Sequence, residues 1–283
     1  MDELTAIGRA RKLVQGVRSA PVDVGALIAA QHMVFKESDR LGPGEAGNTV
    51  TKSDTTYIVV NKNDDPFRRR FTALHELAHN LLELPSKHRA GVPSNELERF
   101  AGRPIEERIC DVFAAECLVP AHLFRPLIAG SPFSVDLLID LSEKFEASKQ
   151  CIASSFVRNS KDLVAYVYAE NGKVQHALHS APLRDAKIFV QLGHLPANSA
   201  AANAMAEGVA THTAELDASD WSSSDAALRF GCFEEALFSQ SWKQTHSLLT
   251  FEEVVVSGDM HSAARDEDEL LPELTGHLSW QKR

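Results

Sequence analysis

Two histidines four residues apart enclose a glutamate in His75-Glu76-Leu77-Ala78-His79, within a stretch whose pattern predicts a helix. Asp64-Asp65-Pro66 supplies a cap with proline at the first turn, and Phe71, Leu74, Ala78, Leu81 and Leu82 recur at helical spacing between Phe67 and Leu84. Residues four apart on a helix are neighbours, so both imidazoles share one face and can reach one metal ion. Two neutral imidazoles leave positions for one further protein ligand and for a water, whose pKa a bound metal lowers toward about 7. Zinc suits that geometry, and Glu76, beside the pair, is placed to act as general base.

The next helical stretch, Pro104 to Leu118, carries Glu106, Glu107 and Asp111, with Glu107 and Asp111 four apart on one face. One carboxylate can bind the ion while the other orients a ligand. In that arrangement Glu107 completes a His-His-Glu set with His75 and His79. Asp111 then accepts the free ring N–H of a ligand histidine and fixes its tautomer. Plain surface charge is the competing reading for these acids, and it fits Glu106 better than Glu107.

The run Arg70-Phe71-Thr72-Ala73-Leu74-His75-Glu76-Leu77-Ala78-His79, followed by Glu107-Arg108-Ile109-Cys110-Asp111-Val112-Phe113-Ala114-Ala115-Glu116-Cys117-Leu118-Val119-Pro120, resembles the ImmA/IrrE family of zinc-dependent metallopeptidases. Both motifs are present in the family's order. The second reads approximately E-x-x-A-[ND]-x-F-A-A-x-L-L-M-P there, and its first glutamate, a metal ligand, falls on Glu107 and not on Glu106. Cys110, Cys117 and Val119 replace the family's Ala, Leu and Met, and none of these changes removes a ligand or the base. The resemblance covers about residues 1–160. It implies Zn2+ held by His75, His79 and Glu107, with Mn2+ or Fe2+ as other ions such a site accepts, Glu76 as base and Asp111 supporting the site. It also implies site-specific cleavage of a helix-turn-helix repressor, relieving repression of stress-response or mobile-element genes.

Around these motifs the expected fold class is α+β. A metallopeptidase-like domain over 1–125 opens with two helices expected to pair antiparallel, the first burying Leu4, Ile7, Leu13, Val14 and Val17. Three short strands near Met33-Val34-Phe35, Asn48-Thr49-Val50 and Tyr57-Ile58-Val59-Val60 follow, with a turn at Gly42-Pro43-Gly44. Substrate is expected to extend along the Tyr57–Val60 strand. Tyr57, His88 and His122 are candidate oxyanion stabilisers, each with a structural role as the simpler reading. Residues 85–103 read as a long loop. Two Ser-capped helices, 134–145 and 148–159, form a helix-turn-helix segment within 126–160. Residues 161–283 form a mixed α+β sensor or partner module, GAF-like by resemblance. Its acidic run 266–269 reads as a solvated loop, and His176, His179, His194, His212 and His246 are scattered without ligand spacing.

Net charge is −10 over 283 residues, about −1 in residues 1–160 and about −9 thereafter. That sign argues against direct DNA binding through any large surface. Lys149, Gln150 and Arg158 nevertheless motivate an alternative function, a DNA-binding or sensing regulator whose metal site is non-catalytic. The longest charge-free stretch, Ile188–Ala206, contains too many polar residues to span a bilayer. Acids at the N-terminus and four cysteines without a CxxC pair point to a cytoplasmic protein with reduced thiols. The sequence carries no signal for an oligomeric state.

Overall fold

The first helix, α1 (Glu3–Val14), starts at Asp2, whose carboxylate accepts the Thr5 N–H at 2.8 Å. It buries Ala6, Ala10 and Val14, an i, i+4, i+8 stripe of small residues, whereas Leu4 is 79% exposed. In the computed structural model, which describes residues 2–42, 44–85 and 104–254, α1 packs mainly against α4 (Ile105–Leu118). Glu3 pairs with Arg108 at 2.8 Å and Arg11 with Glu116 at 2.9 Å, so the two helices run in the same direction. This corrects the expected pairing of the first two helices. The alanine stripe lets backbones approach closely, and α4 offers the buried surface. The short α2 (Val24–Ala29) instead packs on β1 (Met33–Ser38) and α3 (Pro66–Leu81).

The three expected strands form one sheet in the order β1-β3-β2, with β2 at Gly47–Lys52 and β3 at Thr55–Asn61. β1 lies parallel to β3, and β2 antiparallel. Ile58 and Val60 alternate inward from β3 and are fully buried, each contributing roughly 1.5–3 kcal/mol of burial. Because β3 is central, both its edges are already hydrogen-bonded, so no substrate strand can add to Tyr57–Val60. Among the described residues the outer strands of this sheet are β1 and β2. Gly47 on β2 lies so close to α3 that a Cβ there would stand 2.6 Å from Thr72 Cγ2.

Four helices continue the first half: α4, then α5 (Ala121–Ile128), α6 (Val135–Phe145) and α7 (Lys149–Asn159). Ser134 and Ser148 cap α6 and α7 as expected, accepting from Leu137 and Cys151 N–H. Arg70 of α3 ties this pair to the N-terminal region, donating to the Val22 and Glu146 carbonyls at 2.8 and 3.2 Å. On α7 the whole stretch Cys151–Val157 is buried.

The second half is a six-stranded sheet, β6-β5-β4-β9-β8-β7. β4 (Val164–Glu170) turns through Asn171 and Gly172, at φ 51° and 74°, into β5 (Lys173–His179), the two positive φ values a tight two-residue hairpin turn demands. Then come α8 (Ala181–Asp185), β6 (Gly193–His194), α9 (Ala200–Glu207), β7 (Thr211–Asp217), α10 (Ala218–Trp221), β8 (Phe230–Ser239) and β9 (Gln244–Glu253). β4 is buried on both faces, which makes it a continuous apolar run. Val164, Tyr166 and Tyr168 join the core of the helical half, while Ala165, Val167 and Ala169 join a separate core with Trp221, Leu249 and Phe251. Residues 1–253 thereby form one compact unit. Among the described residues no helix is long and apolar enough to cross a membrane. Residues 86–103 with His88, Pro43 of the expected turn, and the acidic run 266–269 lie outside the described residues.

Candidate metal centre

α3 is held at both ends: Asp65 accepts the Phe67 N–H at 2.9 Å, and Leu82 N closes on the Ala78 carbonyl. Between these ends the face carrying His75, Glu76 and His79 turns inward and is buried. α4 crosses that face with Glu107 and Asp111, also buried. The expected residues therefore meet. His75 Nε2 is 3.1 Å from Glu107 Oε2 and 3.1 Å from His79 Nε2, and His79 Nε2 is 3.5 Å from Glu107 Oε2.

The outer ring nitrogens decide what these atoms can do. His75 Nδ1 lies 2.9 Å from Asp111 Oδ1, and His79 Nδ1 lies 3.2 Å from the Leu84 carbonyl. Both partners are acceptors, so each Nδ1 carries the proton and, in a neutral ring, each Nε2 presents a lone pair. Two such nitrogens and a carboxylate oxygen thus point at one another, an arrangement a cation resolves. With bonds of about 2.0–2.1 Å, tetrahedral ligands stand roughly 3.3 Å apart, and the three observed separations bracket that figure. The residues fit a divalent metal, and His75, His79 and Glu107 are the group that could hold it.

The electrostatics agree. Burial alone would lower the His75 pKa, but hydrogen bonds to Asp111 and Glu107 outweigh it and push the imidazole up to about 9. Burial alone would raise Glu107, yet hydrogen bonds from the two histidine rings hold its carboxyl well below the usual range. The pocket favours positive charge.

Two residues of this site escaped the sequence reading. Thr49 on β2 donates its hydroxyl to Glu76 Oε2 at 3.0 Å and accepts from Asn80 Nδ2 at 3.2 Å, while Asn80 also donates to the Glu76 carbonyl at 2.9 Å. Asn80, four residues after Glu76, was discoverable from helical spacing. Thr49 gave no local signal, because only strand pairing brings β2 over α3. Of the candidate oxyanion stabilisers, Tyr57 lies on the sheet face opposite Ile58, with Lys36 Nζ 4.3 Å from its ring centre. His122 is engaged with the Val17 carbonyl at 2.8 Å. Neither belongs to the cluster. Cys110 and Cys117 are packed in the core and form no disulfide.

Comparison with known proteins is consistent with this geometry. Residues 32–155 match the family model described as the IrrE N-terminal-like domain, Peptidase_M78. A solved structure described as a Mycobacterium tuberculosis transcriptional regulator shares the fold, with a TM-score of 0.59 at 12% identity, covering 89% of this chain and 76% of the other. Among curated proteins none matches.

Proposed function

We propose that this chain, whose residues 32–155 form an IrrE N-terminal-like domain of a metallopeptidase family, is a cytoplasmic, metal-dependent, site-specific endopeptidase. Its substrate in this reading is a helix-turn-helix transcriptional repressor of the XRE type, whose cleavage derepresses stress-response or mobile-element genes. The observation that carries the reading is the convergence of His75, His79 and Glu107 with Glu76 on the same buried helix face.

His75, His79 and Glu107 would hold the ion, Zn2+ or else Mn2+ or Fe2+. When bound, it would polarise the scissile carbonyl and acidify a water. Glu76 would accept a proton from the attacking water and pass it to the departing amine. The Thr49 hydroxyl on Oε2 fixes the carboxylate rotamer and leaves the other oxygen for the proton. Asp111 keeps a proton on His75 Nδ1, so that Nε2 is the nitrogen that would meet the ion. The outer edge of β2, which carries Thr49, is where an extended substrate can add as a further strand. The sheet over 164–253 is the partner or sensor module of this reading. Four buried cysteines outside any disulfide accord with a reducing compartment.

A DNA-reading role for α7 is disfavoured, because the middle of that helix is buried against the body of the protein. The deciding experiment incubates Zn2+- or Mn2+-loaded protein with helix-turn-helix repressors encoded nearby and reads fragments by mass spectrometry, beside Glu76→Gln. A single cut requiring both metal and Glu76 is expected. Intact repressor captured without a cut would favour a binding or sensing module instead.

A further inference from the structure

A cavity of about 260 Å3 lies between α3, α4 and α7, with Asp111 in its wall. α7 contributes Gln150, Ser154 and Arg158, spaced i, i+4, i+8 and so aligned on one face. Ser154 is 3% exposed and its hydroxyl has no hydrogen-bond partner; Gln150 Nε2 is buried and in the same state. Arg158 makes no hydrogen bond or ion pair with another described residue. Buried polar groups without partners are rare in folded proteins, and three donors in a row facing one cavity call for an acceptor inside it.

The acids in the lining do not supply it. Asp65 Oδ1 accepts the N–H groups of Phe67 and Arg68, Asp111 Oδ1 is engaged with the His75 ring, and neither Ser154 Oγ nor Gln150 Nε2 makes a hydrogen bond to a carboxylate. The opposite wall is apolar, built from Phe67, Phe71 and Ala115. A cavity below the roughly 300–1,000 Å3 of drug-sized sites suits a small metabolite.

We infer that this cavity binds a small organic anion, an oxyacid group on a short apolar body. The oxyacid meets Gln150, Ser154 and Arg158, and the body lies on Phe67 and Phe71. Such a ligand also touches Asp111, the residue that orients His75.

Isothermal titration calorimetry on the metal-free full chain tests this with phenyl phosphate, phenylacetate and uncharged benzyl alcohol. The expected result is one equivalent of an anionic probe bound, with benzyl alcohol at least about tenfold weaker, a difference of about 1.4 kcal/mol. Ser154→Val, which removes the hydroxyl, and Arg158→Gln, at the exposed end of the row, should each weaken the anion by about tenfold or more. If Ser154→Val fails to fold, Arg158→Gln decides alone. Absence of anion binding, equal binding of benzyl alcohol, or anion binding indifferent to the substitutions overturns the inference. None of these readouts depends on the metal centre or on peptidase activity.

Discussion

The imidazole of His75 and the carboxylate of Asp111 face each other at 2.9 Å across two helices, both buried, with the Nδ1–H of one donating to Oδ1 of the other. That bond keeps the proton on Nδ1 and turns Nε2 of His75 toward Glu107 and His79, so an arriving ion has only to displace a proton from Nε2. Asp111→Asn keeps the volume but replaces a charged acceptor by a neutral amide that can also turn its NH2 toward the ring. Metal affinity should fall about 10- to 100-fold with the fold intact. Competition against a chromophoric zinc chelator measures it, and an unchanged affinity would deny Asp111 this role.

Thr49 and Glu76 form a second such pair, one on a strand and one on a helix. Thr49→Val removes the hydroxyl while keeping the shape. Repressor cleavage should drop by about tenfold, the value of one ordinary hydrogen bond, with metal content unaltered. Single-turnover kinetics beside metal analysis separates this from loss of the ion.

Glu234 is fully buried on β8, and its two carboxylate oxygens accept the N–H groups of Ala200 and Ala201 at 2.9 and 3.1 Å, satisfying the first turn of α9. Glu234→Ala strands both donors inside the protein. A loss of roughly 2–4 kcal/mol in urea denaturation is expected, against well under 1 kcal/mol for the exposed Glu207.

His246 on β9 is partly buried, its ring stacked on Tyr166 with Nδ1 2.7 Å from the phenol oxygen. Burial first, and Lys149 second, pull its pKa down to about 4. Between pH 6.5 and 4 the unfolded chain binds a proton the folded chain refuses, so this contribution is complete above pH 6.5 and is lost as pH falls. At pH 5 the loss is about 2 kcal/mol. Urea midpoints of the metal-free protein at pH 7.5 and 5 should diverge more for the wild type than for His246→Gln.

The site was legible because its chemistry is local. His75, Glu76 and His79 fall within five residues, Glu107 and Asp111 within another five, and helical periodicity alone turns each group to one face. Contacts made across the chain were less legible. The stripe of α1 was misread because leucine weighs more than alanine in any hydrophobic pattern, while tight helix packing on α4 favours Ala6 and Ala10. The strand expected to receive substrate turned out to be central, since adjacency of β3 to β1 depends on a parallel pairing that no turn motif announces. Thr49 reaches Glu76 only because Gly47 lets β2 approach α3.

One ion held by His75, His79 and Glu107 is the centre of the proposed chemistry. Native mass spectrometry of the protein purified with added Zn2+ tests that most directly, comparing the wild type with Glu107→Gln and with His75→Ala/His79→Ala. One metal per wild-type chain, and none in either variant, is the predicted result. A metal-free wild type, or a full equivalent of zinc in the double-histidine variant, would contradict it.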